Sequence, residues 1–171
     1  MGSKIFIGSV TTLLFCDIIT LMKNKKDIIK LNQIIELIKK GVKLLQVAKS
    51  YYFADFIKEN WRFKNGKFEF AGIYAIYEKG KGLIYIGSAG KGNHFLRYRI
   101  ADLFYFSDNK FKHYLTEKLL NSLKRFDGID SIRNFYLHDC YFRVVKTDTI
   151  RQARIIEEIL IYLLNPKYNQ D

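Results

Sequence analysis

Phe70-Ala71-Gly72-Ile73-Tyr74-Ala75-Ile76-Tyr77 and Leu83-Ile84-Tyr85-Ile86-Gly87 flank the run Glu78-Lys79-Gly80-Lys81-Gly82. Both flanks are rich in aromatic and β-branched residues, and the glycines between them supply turn freedom, so the stretch reads as a β-hairpin with strands over 70–77 and 83–87. If the chain tightens at Lys79-Gly80, antiparallel pairing sets Tyr74 opposite Tyr85 on one face of the sheet. Two phenols then stand side by side. Gly72 and Gly87 beside them leave room for a backbone or a ligand to come close. Taken alone, such a pair is also an ordinary cross-strand stabiliser.

Upstream, Asn65-Gly66 between Phe63 and Phe68 is a second hairpin signal. Further back, Ile28, Leu31, Ile34, Ile35, Ile38, Val42 and Leu45 recur at helical spacing over 27–49, with Gly41 as a candidate break. Lys30, Lys39, Lys40 and Lys43 fall largely off that stripe. This basic helix either lies against DNA or turns a solvated face outward. Downstream, the expected elements are helices over 95–106 and 110–125, a break at Asp127-Gly128 and a strand over 136–146. A last helix covers 149–164, with Asp148 or Thr147 as its N-cap and Pro166 beyond its end. Hairpin, helices, strand and helix in that order make an α+β module.

The chain has 171 residues, enough for one domain with a helical extension, and half of them are apolar. Its 29 Lys and Arg outnumber 17 Asp and Glu, for a formal charge of +12. A folded basic surface of this kind most often meets nucleic acid; an A/T-rich genome that favours lysine codons is the bland alternative. Cys16 and Cys140 form neither a CxxC pair nor a zinc spacing, so both read as reduced thiols in a cytoplasmic protein. Residues 5–22 are mostly apolar, with Lys4 before them and Asp17 as their one charge. They read either as a membrane anchor or signal, which Gly8, Ser9 and a central Asp17 oppose, or as sequence upstream of a start at Met22.

The last helix carries a chemical signal of its own. Ile150, Ala153, Ile156, Leu160, Ile161, Leu163 and Leu164 form its apolar side, and Glu157 falls within that stripe. Glu158 sits further round, one turn beyond Arg154, where an exposed ion pair is expected. A carboxylate on a buried face is costly unless it meets a cation or a metal. Glu157 is therefore a site candidate, with a core ion pair to an arginine as the alternative.

Taken together, these segments resemble the GIY-YIG nuclease family from Ala71 to Asn169. Gly72-Ile73-Tyr74 and Tyr85-Ile86-Gly87 match the two halves of the motif that names it. Leu96-Arg97-Tyr98-Arg99-Ile100 looks like the family's arginine helix, with Arg99 in the catalytic place and Arg97 as competitor. Glu157 and the closing Pro166-Lys167-Tyr168-Asn169 have the familiar spacing. One turn after the arginine, where many relatives carry histidine or tyrosine, stands Leu103; His113 or His94 are candidates to substitute in space. The resemblance implies a small three-stranded antiparallel or mixed sheet flanked by helices over 63–171, with an N-terminal helical extension over 1–62.

It also implies hydrolysis of DNA phosphodiesters by in-line attack of water. Glu157 would hold one Mg²⁺ or Mn²⁺, Arg99 would clamp a non-bridging oxygen, Tyr74 would act as general base and Tyr85 would position water or phosphate. Lys91, Arg97 and Asn169 are second-rank contacts, and His113 is a further candidate. Lys91 lies in Gly90-Lys91-Gly92, which is not a Walker motif. The expected partner is double-stranded DNA, cut by a restriction-like or structure-specific enzyme, dimeric if both strands are cut and with no obligatory membrane. The alternatives are a repair or mobile-element incision nuclease working with a partner, and a non-catalytic nucleic-acid-binding module.

Overall fold

The computed structural model describes residues 25–58, 68–90, 95–107, 110–111, 113–122 and 125–169. The apolar residues 1–22, Cys16 and the Asn65-Gly66 turn lie outside them. The chain divides into two compact units, Met1–Lys39 and Lys40–Asp171. Helix α1 spans Lys25–Val47 without a break. Gly41 is a packing position instead, because a β-carbon there would stand 3.1 Å from Cγ2 of Ile156. Among the described residues no helix is long and apolar enough to cross a membrane.

The second unit is built on one sheet. Its strands are β1 (Tyr51–Tyr52), β2 (Gly72–Glu78), β3 (Gly82–Ala89) and β6 (Cys140–Lys146), ordered β1-β6-β2-β3 with every neighbour antiparallel. Among the described residues the expected three strands of this sheet are thus four, and none is parallel. The addition is β1, whose two residues are too short to show a period of two in the sequence. Helix α2 (Phe53–Lys58) follows it directly.

Tyr74 pairs with Gly87, not with Tyr85, and Tyr85 pairs with Ile76. Two irregularities cause the difference. The hairpin closes through Glu78 opposite Gly82, with Gly80 and Gly82 at φ of 75° and 98°, so its loop holds one residue more than a Lys79-Gly80 turn. Ile84 is then left as a bulge between the pairs Ile76–Tyr85 and Tyr77–Leu83. Each step slips the register by one residue, and two slips restore the facing. Tyr74 and Tyr85 therefore remain on one face, as diagonal neighbours with ring centroids 6.1 Å apart.

That face carries the larger core. Tyr74, Ile76, Tyr85 and Phe142 pack there against Phe53 and Phe56 of α2 and Leu96 and Ile100 of α3 (Leu96–Ala101). Leu115 and Leu119 of α4 (Tyr114–Asn121) and Ile132, Phe135 and Tyr136 of α5 (Gly128–Asp139) complete it. On the opposite face Ile73, Ala75, Ile86 and Val145 meet Leu45 of α1 and Ala153, Ile156 and Leu160 of α6 (Ile150–Leu164). Arg143 ties the end of α1 to the sheet by donating to the carbonyls of Leu45 and Gln46, which the helix itself leaves unpaired.

Several boundaries differ from the expected ones. The helix expected over 95–106 ends at Ala101. The Leu103 carbonyl accepts instead from Oγ1 of Thr116, and the Phe104 carbonyl from Arg133. Phe106–Ser107 (β4) and Lys110–Phe111 (β5) pair as a small ribbon where helix was expected, so α4 begins only at Tyr114. Residues 136–139 belong to α5, whose buried Ile132, Phe135 and Tyr136 recur at helical spacing. Its aromatic content disguised that period as strand. The N-cap of α6 is Thr149, in a reciprocal capping box with Gln152, rather than Asp148 or Thr147.

Candidate active site

Strand β3 is an edge strand, and the candidate residues gather about it from both faces. Alternation along β3 sends Tyr85 and Gly87 to the larger core and Ile86 and Ser88 to the α6 side. On the outer edge, the backbone N–H of Tyr168 donates to the Ile84 carbonyl at 3.0 Å. The Asn169 amide then pairs with both backbone groups of Ile86, its Oδ1 accepting from the N–H and its Nδ2 donating to the carbonyl, each at 2.8 Å. Pro166-Lys167-Tyr168-Asn169 thus covers an edge that would otherwise be open. Asn169 is engaged in holding the strand that carries Tyr85.

Tyr74 is fully buried, with its ring over Gly87. A β-carbon on Gly87 would run into Cζ and Oη of the ring and stand 2.8 Å from Cε1. Gly72 serves a different closeness, since a β-carbon there would meet the Val145 carbonyl oxygen. The Tyr74 hydroxyl lies 2.6 Å from Nε2 of His113, which is also fully buried. His113 is the N-cap of α4, and its Nδ1 accepts from the backbone N–H of Leu115 at 3.1 Å. The Tyr85 ring stands beside both, its centroid 6.1 Å from that of Tyr74 and 5.4 Å from that of His113.

Arg99 and Arg97 point to different partners. Nη1 of Arg97 lies 2.9 Å from Oε1 of Glu69, and its guanidinium stacks 4.5 Å from the Tyr98 ring centroid. Arg99 is less confined: its nearest carboxylate, Asp102, is 3.8 Å away, and its side chain keeps 36 % of its surface exposed. Its charge is felt by Tyr74, Tyr85, His113 and Glu157 alike. Arg99 is therefore the arginine that joins the tyrosines.

Glu157 reaches the edge of β3 from α6 and accepts a hydrogen bond from the Ser88 hydroxyl. Burial pushes its carboxyl up, the Ser88 hydrogen bonds and Arg99 oppose the rise, and Glu158 adds to it. Among the described residues no cation lies within ion-pair distance of Glu157. Its charge also raises Tyr74 and Tyr85. Burial is the leading influence on the phenols: it holds Tyr74 well above the ordinary tyrosine value and Tyr85 at about 12, with Arg99 pulling both down. His113 is held well below the usual histidine range by burial and by Arg99, so its imidazole is neutral.

Tyr74, Tyr85, Arg99, His113 and Glu157 thus come together, while Arg97 turns away to Glu69 and Asn169 to Ile86. Lys91 and His94 lie outside the described residues. Ser88 and the Leu115 amide were missed in the sequence. For Ser88 a signal existed: two residues beyond Ile86 on a strand, it must face the same helix as Ile86. No protein-family model matches the chain, and no curated protein matches it.

A half-buried carboxylate with a hydroxyl beside it and, among the described residues, no paired cation offers hard oxygen donors, which suit a Mg²⁺-like ion that keeps most of its waters. Among the described residues no cluster of three or more His, Cys, Asp or Glu forms. Glu157, with Ser88, could hold one such ion.

Proposed function

We propose that this chain is a metal-dependent endonuclease that hydrolyses phosphodiester bonds of double-stranded DNA, in the manner of the GIY-YIG nucleases it resembles. One observation carries the reading: two neighbouring phenols, a part-exposed arginine and a half-buried carboxylate with no ion-pair partner among the described residues gather at the edge of β3. Phosphodiester hydrolysis uses each of them.

Arg99 cannot lose its proton, and its exposed guanidinium can donate to a non-bridging oxygen as charge builds there. A phenol of the pair takes the proton from the attacking water. That step needs the phenolate, which Arg99 favours and burial opposes. Glu157 would hold a divalent ion through its carboxylate, and the chemistry that ion would supply is neutralisation of the leaving oxygen. The net charge of +12 assists by drawing in the polyanion.

The test is incubation of the full chain with supercoiled plasmid, with and without Mg²⁺ or Mn²⁺. Nicking or linearisation that requires the metal supports the reading, and discrete fragments would mark a sequence-selective enzyme. Tight, salt-sensitive DNA binding without cleavage would instead mark a binding module.

A further inference from the structure

Helix α6 carries apolar residues on two sides. Its sheet side holds Ala153, Ile156 and Leu160, buried in the second core. Its outer side holds Arg151, Arg154, Ile155, Glu158, Ile159 and Tyr162, spaced as one stripe of a helix. Tyr162 is 74 % exposed and Ile155 41 %. Among the described residues neither Arg154 nor Glu158 has an ion-pair partner, although only one turn separates them. The exposed pair expected there is not formed, and both charges remain open to a neighbour.

The stripe is complementary to itself when a second copy runs antiparallel to it. A two-fold axis crossing the helix midway between Ile156 and Glu157 sets Arg151 level with the partner's Tyr162. The same axis brings Ile155 and Arg154 within one residue's rise of the partner's Ile159 and the partner's Glu158. Such an axis maps each flank of the stripe onto itself, and Arg151, Arg154, Glu158 and Tyr162 all lie on one flank. Guanidinium then meets phenol ring, isoleucine meets isoleucine and arginine meets carboxylate, each contact made twice. Nucleic acid suits the stripe poorly, because Glu158 stands near its middle.

We propose that the outer side of α6 is a self-association face, on which two copies of this chain pair as an antiparallel, two-fold dimer. The inference goes beyond the nuclease reading and does not rest on it. One helix face is a small interface, and repulsion between two chains of charge +12 opposes it. The dimer is therefore weak, with a dissociation constant of roughly 1–100 µM. Glu157 lies beside the two-fold level on the sheet side of the same helix, so pairing through α6 fixes the separation of two candidate sites.

Sedimentation velocity of the full chain over roughly 1–300 µM tests this. Wild type should pass from monomer to dimer across that range. Tyr162→Asp, Arg154→Glu and Glu158→Arg should each raise the dissociation constant by about tenfold or more. Their melting temperatures should stay near that of wild type, since all three side chains are exposed. The decisive arm mixes Arg154→Glu with Glu158→Arg. Each variant alone sets like charges against each other across the axis, whereas the mixed pair sets glutamate against arginine in both contacts. The mixture should therefore dimerise about as well as wild type. A wild type that stays monomeric throughout the range overturns the proposal and leaves the stripe to a different partner. A dimer that survives all three substitutions overturns it too, as does a mixture no more associated than its components. None of these outcomes depends on cleavage of DNA, so this inference and the nuclease reading fail separately.

Discussion

The Tyr74 ring occupies the space that a side chain on Gly87 would fill. The two residues face each other directly across β2 and β3, so one half of the repeated motif is a glycine because the other half is a tyrosine. Gly87 is not at positive φ, so its requirement is steric. Gly87→Ala should destabilise the fold by about 1–3 kcal/mol, the usual cost of overpacking a filled core. It should also displace the Tyr74 hydroxyl from His113. Urea unfolding measures the first effect, and a change in the ¹⁵N shifts of the His113 ring the second.

Asn169 offers a cleaner stability test, since its side chain meets only backbone at Ile86. Asn169→Ala leaves an N–H and a carbonyl of β3 without partners and should cost roughly 1–3 kcal/mol. Asn169→Asp can still accept from the N–H but cannot donate to the carbonyl, and should fall between. Hydrogen exchange at the Ile86 amide should accelerate in the alanine variant and much less in the aspartate one.

How much of this was legible beforehand follows from where the information lay. The facing of Tyr74 and Tyr85 was readable, because side-chain parity survives two compensating slips. Their register was not, since the bulge at Ile84 leaves no mark in an apolar run. Glu157 stood out because a carboxylate on an apolar stripe is anomalous. Arg99 and Arg97 could not be told apart until Glu69 was seen to engage Arg97, as Glu69 lies 28 positions earlier in the chain. Helix α5 and strand β1 were missed for opposite reasons: aromatic residues dressed one as a strand, and the other was two residues long.

The two arginines should separate sharply in activity. Arg99→Ala should lower single-turnover cleavage by roughly 10²–10³-fold, the range for loss of one donor to a developing oxyanion. Arg97→Ala breaks a part-exposed pair and should change stability by no more than about 1 kcal/mol, with cleavage within about tenfold of wild type. Cleavage rates and thermal melts of both variants decide it. Equal losses would return Arg97 to the site.

Glu157 should trade stability for chemistry. Its folded pKa lies above its ordinary value of 4.5, so between the two the native state binds more protons than the unfolded one. Stability contributed by the protonated group is present below that value and declines as pH rises through the folded pKa. Glu157→Gln removes the decline and should melt at or above wild type at pH 7. The difference should shrink toward pH 4. A variant markedly less stable at pH 7 would mean that the carboxylate is a structural group.

The most direct test of the account is the single-turnover rate of plasmid cleavage against Mg²⁺ concentration for wild type and Glu157→Gln. The expected result is saturable, Mg²⁺-dependent cleavage by wild type and a loss on the order of 10³-fold or more in the variant at every Mg²⁺ concentration, with its fold intact. Cleavage by Glu157→Gln at the wild-type rate and with the same Mg²⁺ dependence would contradict it.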